Sequence, residues 1–378
     1  MKNQEQAHES YSGKRPPLRL FLFPVLVFAL AFLVDKAFFI GRLEDYFLTT
    51  ASFLNFDHKE AMLDELEDHL KKPDHLKALV LFGNSRTMSF SREYIEERYP
   101  GWTLFNFSVP GGTTDYFCYF MKEFRRRGIR PEAIYFAVTP QGMNATPAVA
   151  LDEVMVFGLP LSFLATEFRY YSLNELTNYI AKKAFLVYRY RPKMKIIEWR
   201  MSYNEQTKER PVDAFRKMLE QTGQSLTLHR GSVPYDLDVK PAQDEADIQA
   251  NAVSIWKDAF TPFRLHEGQV HFTEESLKIA IELGAKTGLV WPRVSAPLRQ
   301  LKETEKVAID PVTHEPTTVR AAWEPAMKRL TEETGASWMD FNYDPAFDLH
   351  CDFFFDASHM ASGCFRPFMD GVMAEAMK

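Results

Sequence analysis

LKALVLFGNSR, residues 76–86, is an unbroken apolar run that stops at a glycine and delivers a serine. A run without alternation suits a strand buried on both faces, as in a parallel sheet covered by helices. Ser85 then stands just past the carboxyl end of that strand, where sites of open α/β sheets form. Backbone N–H groups and the start of the next helix favour developing negative charge at such a place. A serine there is also an ordinary turn or cap residue, so the stretch alone fixes a fold element and not a reaction.

Working outward, SREYIEERY (91–99) predicts a helix with Ser91 as N-cap, and TLFNFSV (103–109) a second strand. TDYFCYFMKEFRRR (114–127) predicts a helix stopped by Gly128, and AIYFAVTP (133–140) a third strand. The rhythm returns with a helix over 274–288, a strand over 289–295, a helix over 319–335 and a strand over 336–342. Strand and helix alternating at this spacing predict an α/β fold with a parallel sheet and right-handed crossovers. Residues 146–266 break the alternation and predict a mostly helical insertion between a first α/β part at 76–145 and a second at 267–378. Within the insertion, FLVYRYRPKMKIIEWR (185–200) is expected to be a solvated helix face with buried aromatics. Residues 57–71 predict an amphipathic stalk or packing helix with Ala61, Leu63, Leu66 and Leu70 on one side, inside a juxtamembrane segment 41–75.

Upstream, Leu20–Val34 is wholly apolar and would span roughly 22 Å as a helix; carried on to Ile40 it reaches roughly 31 Å, enough for a bilayer core of about 30 Å. Lys2, Lys14, Arg15 and Arg19 precede it, so the expectation is an uncleaved transmembrane anchor over 20–40 with residues 1–19 in the cytoplasm. Asp35 and Lys36 either find a partner or reach the interface. The net charge of −6 gives no footprint for nucleic acid. Three cysteines exclude a disulfide-framework fold; Cys351 and Cys364 either pair in an oxidising compartment or stay buried thiols, the plainer reading. The ten histidines lack metal-ligand spacing, and no metal or cofactor is expected.

A second chemical element is Asp356-Ala357-Ser358-His359. On a turn or helical segment this separation puts carboxylate and imidazole on one side, where the first orients the second to activate a serine. Together the blocks resemble the SGNH/GDSL hydrolase superfamily. Its Gly-Asp-Ser is here Gly83-Asn84-Ser85, and its Asn-x-Gly-Val-Ser-Gly-Asp-Thr is here Asn106-Phe107-Ser108-Val109-Pro110-Gly111-Gly112-Thr113. Its Gly-x-Asn-Asp is here Gly142-Met143-Asn144-Ala145, and its closing Asp-x-x-His is Asp356 and His359, with Gly363 soon after. The resemblance runs over about 76–145 and 285–370; Asn84 and Ala145 each replace an aspartate of the family pattern.

The resemblance implies a three-layer α/β/α sheet, Ser85 as nucleophile, His359 as base and Asp356 as its orienting partner. It also implies an oxyanion hole from the N–H groups of Ser85 and Gly111 with the Asn144 amide, and Arg86 as a substrate contact. With one N-terminal transmembrane helix and a Gly-x-Ser-Arg block, the chain is similar to DltD and AlgJ/AlgX-like proteins. Those work beside a multi-pass membrane O-acyltransferase (MBOAT) in acylating cell-envelope polymers. The expectation is therefore acyl (foremost acetyl) transfer through acyl-Ser85 to a glycan or polyol hydroxyl, on the outer side of a bacterial inner membrane. An esterase or deacetylase with the same triad, or a non-catalytic SGNH scaffold, are the alternatives.

Overall fold

The computed structural model describes residues 18–37, 39–48, 51–145, 151–206, 208–233, 236–239, 244–310 and 312–378. The chain divides into two compact units, Met1–Leu48 with Ile180–Val212, and Thr49–Tyr179 with Asp213–Lys378. The insertion anticipated as one block is thus shared, since its middle part, Ile180–Val212, clusters with the N-terminal segment.

The larger unit is built on β1 (Lys77–Phe82), β2 (Trp102–Asn106), β3 (Ala133–Ala137) and β4 (Lys286–Trp291). A short antiparallel pair follows, β5 (Ala308–Ile309) and β6 (Pro316–Thr317), and then β7 (Ser337–Asp340). The sheet is fully parallel in the order β2-β1-β3-β4-β7. Alternation along β1 divides the core: Ala78, Val80 and Phe82 join Phe105, Phe107, Phe117 and Phe136 on one face. Leu79 and Leu81 join Phe90, Tyr135, Phe341 and Phe368 on the other. Helices therefore cover both faces, and the continuous apolar reading of 76–82 is explained.

β2 and β3 end three residues earlier than expected, and two elements shift further. The helix anticipated at 274–288 runs Glu267–Glu282, because the His266 side chain accepts the Gln269 N–H at its start and Gly284, at φ 84°, ends it. That frees Lys286–Gly288 for β4, which stops at Trp291 because Pro292 has no N–H to donate. The anticipated stalk is the helix Phe53–Leu70, which buries Phe56, Met62, Leu63 and Leu66 in the main core and leaves Ala61 exposed. It is a packing helix.

In the smaller unit the helix Leu18–Ala37 carries the N-terminal apolar run. Its side chains from Leu22 to Val34 face outward, Phe23 70% and Leu26 65% exposed. Among the described residues, no helix is long and apolar enough to cross a membrane. Asp35 does find a partner: its carboxylate accepts the N–H groups of Leu186 (2.8 Å) and Val187 (2.7 Å), capping the short helix Leu186–Tyr190. Phe185 packs edge-on against Phe28 at 5.5 Å, so this part of the 185–200 tract docks on the apolar helix and is not simply a solvated face.

Candidate active site

The order β2-β1-β3 makes β1 and β3 neighbours whose connections leave on opposite sides, and the crevice beyond their carboxyl ends is where such sheets bind ligands. All the chemistry-bearing segments converge there. β1 ends at Phe82, and Gly83 follows with no room for a side chain, since a Cβ would lie 2.1 Å from Thr87 Oγ1. Asn84 shapes the next turn: its Oδ1 accepts the Arg86 N–H at 3.1 Å and its carbonyl accepts the Thr87 N–H at 3.0 Å. Ser85 is thereby pushed into solvent while Arg86, Thr87 and Met88 are buried.

The segment after β2 is stitched to this turn. Asn106 donates through Nδ2 to the carbonyls of Thr87 (2.9 Å) and Met88 (3.3 Å), and Ser108 Oγ lies 2.8 Å from Thr87 Oγ1. The Val109 N–H donates to the Gly83 carbonyl at 3.2 Å, and Gly112 packs so tightly there that a Cβ would sit 2.2 Å from that oxygen. Gly111 occupies the left-handed region, φ 66°, as the Pro110-Gly111 turn requires. Among the described residues, the N–H groups of Ser85 and Gly111 have no hydrogen-bond partner. Both stay available to a developing oxyanion.

The acid–base side comes from the C-terminal hairpin β8 (Phe354–Asp356) and β9 (His359–Met360), in which Asp356 pairs with His359 across a two-residue turn. Ser85 Oγ lies 2.7 Å from His359 Nε2, and His359 Nδ1 lies 2.8 Å from Asp356 Oδ2. With Nδ1–H donating to the carboxylate, the Nε2 lone pair faces the serine hydroxyl. The other carboxylate oxygen accepts the N–H groups of Ser358 (2.7 Å) and His359 (2.9 Å) and the Ser358 hydroxyl (2.9 Å). Burial pushes the Asp356 carboxyl upward, but His359 and the Ser358 bonds outweigh it and hold the group well below the usual carboxylate range. Asp356 is thus a fixed anion at neutral pH.

Arg86 differs from its expected role. It is 5% exposed, its Nε donates to the Ser358 carbonyl at 2.9 Å and its Nη2 to Gln141 Oε1 at 2.6 Å. Burial pushes the guanidinium down to about 10, opposed by the charge of Asp356, so it remains a cation at neutral pH. It fastens the hairpin turn to the ends of β1 and β3 and presents no surface to a substrate. Asn144 also departs from expectation. Its amide donates to the carbonyls of Ala259 and Pro262, each at 3.0 Å, and its Oδ1 accepts the Arg264 N–H at 3.0 Å. It clamps the 259–264 turn, and its amide nitrogen donates to two carbonyls there.

Sequence reasoning missed Ser358, Gln141 and Asn251, whose Oδ1 accepts the Ala357 N–H at 2.8 Å. Isolated polar residues in such stretches carry no spacing signal. Cys351 and Cys364 are paired, 13 residues apart, and bracket the hairpin, in place of the buried thiols that were the plainer reading; Cys118 is free and buried. Among the described residues, no group of three or more His, Cys, Asp or Glu side chains is arranged to hold a metal ion.

A family model described as "Protein of unknown function (DUF1574)" matches residues 18–375, nearly the whole chain. The chain belongs to the DUF1574 family. No curated protein matches it. The match takes in both units of this DUF1574 chain, with Ser85, Asp356 and His359 all inside it.

Proposed function

We propose that this DUF1574 protein is an SGNH-type serine acyltransferase of the bacterial cell envelope, held at the inner membrane by its N-terminal apolar helix. The Ser85–His359–Asp356 chain at 2.7 and 2.8 Å carries the reading. His359 takes the Ser85 proton as Oγ attacks an acyl carbonyl, and returns it to the leaving group. A hydroxyl of a glycan or polyol, deprotonated by the same imidazole, then attacks the acyl carbonyl; the Oγ–acyl bond breaks and the imidazolium returns the proton to Ser85 Oγ. The N–H groups of Ser85 and Gly111 receive the oxyanion in both steps.

Location outside the cytoplasm is supported by the Cys351–Cys364 disulfide, a feature of oxidising compartments. Membrane attachment is supported by the outward-facing apolar side chains from Leu22 to Val34 and the basic residues before them. A multi-pass O-acyltransferase of the MBOAT type is the partner this arrangement suits. The exposure of Ser85 to solvent favours one second reading, an esterase in which water replaces the acceptor.

The two readings separate in one assay. Full chain in neutral detergent is acylated with p-nitrophenyl acetate, and decay of acetyl-Ser85 is followed by peptide mass with and without oligosaccharide or glycerol. Faster decay with formation of an acetylated acceptor supports transfer. Decay to acetate at an unchanged rate supports the esterase, and no acetyl-Ser85 contradicts both.

A further inference from the structure

A groove of about 1030 Å³ opens in the larger unit, and none of Ser85, Arg86, Asp356 or His359 lines it. Its size is that of a site for a drug- or lipid-sized molecule. The walls come from Arg169–Tyr170, the segment entering the helix Glu267–Glu282, the β5–β6 hairpin and the helix Val319–Thr334. Its floor is apolar: Leu265, Ala322 and Pro325 line it together with Ile309 and Val312, which are 44% and 83% exposed. Alanine and proline on the long helix leave the space that larger side chains would close.

The rim is cationic in a chain whose net charge is −6. Arg169, Arg264 and Arg329 all reach it. Among the described residues, Arg264 has no ion-pair partner, Arg169 only lies over the Tyr170 ring at 4.7 Å, and Arg329 meets Glu333 at 3.8 Å. Of the two lining acids, Asp310 accepts the N–H groups of Val312 and Thr313, both at 2.8 Å, and Glu267 sits in the first turn of its helix. Two arginines are therefore free to meet an anion. Tyr170 offers no open ring for a sugar to stack on, because His271 stacks on it at 4.3 Å and Arg169 covers it as well.

We propose that the groove binds a single-chain amphiphilic anion. The hydrocarbon chain lies along Leu265, Ile309, Val312, Ala322 and Pro325, and a carboxylate or phosphate head meets Arg169 and Arg264. Burying such a chain removes apolar surface from water on both partners, while the arginine fork favours an oxyanion over a neutral head. The proposal stands apart from the triad and does not depend on Ser85 being a nucleophile.

The test uses full chain in neutral detergent and three probes with a diazirine on the hydrocarbon chain: a fatty acid, an alkyl phosphate and an alkyl glucoside. Crosslinked peptides are mapped by mass, and labelling of residues 22–34, an exposed apolar helix, serves as the internal reference. The anionic probes are expected to label the peptides carrying Ile309 to Ala322, and Arg169→Gln with Arg264→Gln to reduce that labelling about tenfold. Stronger labelling by the fatty acid points to a free carboxylate ligand, and by the alkyl phosphate to a lipid headgroup. Val312→Asp, on an exposed hairpin, attacks the apolar side independently and is expected to lower both. Equal labelling by the glucoside, or labelling unchanged in both variants, overturns the proposal.

Discussion

The two halves of the candidate site are held in different ways. The nucleophile turn grows directly out of β1 and is sewn to the β2 segment through Asn106, Ser108, Val109 and Gly112. The hairpin with Asp356 and His359 lies outside the parallel sheet: Phe354 and Met360 pack into the core, and its turn is fixed by Arg86 on the Ser358 carbonyl, Asn251 and Ser295 on the Ala357 backbone and the Cys351–Cys364 disulfide. Ser85 follows directly on a strand of the central sheet, whereas the turn that carries the His359 imidazole depends in addition on discrete side-chain contacts that single changes can remove. Failure of the site should therefore begin on the base side while Ser85 stays in place.

The largest expected effect is chemical. His359→Ala should lower turnover of an activated ester by roughly 10³-fold or more, as loss of a triad member does elsewhere. Its unfolding midpoint should stay close to that of the parent, since His359 is partly exposed. Reduction of the disulfide comes next. Opening a bridge that closes 13 residues should cost about 3 kcal/mol, and amide exchange should quicken at 353–361 while the hydrogen-bonded amides of Arg86 and Thr87 remain protected. Equal quickening at both would mean that the two halves are one unit. Arg86→Lys should follow, because an ammonium cannot reproduce the fork to Ser358 and Gln141, and each abandoned buried acceptor costs about 1–3 kcal/mol. Its signature is a lower kcat with KM little changed.

The smallest effect sharpens the nucleophile side. Lys59 is fully buried, donates to the carbonyls of Asn106 (2.6 Å) and Gly231 (2.7 Å), and burial pushes it down to about 7. The unfolded chain binds this proton up to its ordinary range near 10.5, so it holds more protons than the folded chain between about 7 and 10.5. Stability should rise with pH across that window, and Lys59→Met should flatten the rise in denaturant titrations at several pH values.

The parts legible in the sequence were those with a local physical cause. Buried strands need continuous apolar runs, so 76–83, 103–109 and 133–140 could be read as strands, and Gly128 marked a helix end through its left-handed backbone. Ser85, Asp356 and His359 stood out because their block order matches strand ends. Asn144 misled because a side-chain amide serves a nearby backbone turn as readily as an oxyanion, and only the path of residues 259–264 decides between them. Cysteine pairing was illegible for the same reason: it depends on a Cα separation, here 5.5 Å, that no spacing in the chain reveals. The burial of Arg86 follows from the hairpin folding over it, a contact between residues 272 positions apart.

A nucleophilic Ser85 made reactive by His359 should react rapidly with a phosphonylating agent only when both residues are present. Full chain, Ser85→Ala and His359→Ala should each be treated with a fluorophosphonate and the adducts mapped by peptide mass. One adduct is expected, on Ser85 of the parent protein, with none in Ser85→Ala and a strongly slowed one in His359→Ala. An adduct formed equally fast without His359, or no adduct on Ser85 at all, would contradict a nucleophilic Ser85 made reactive by His359.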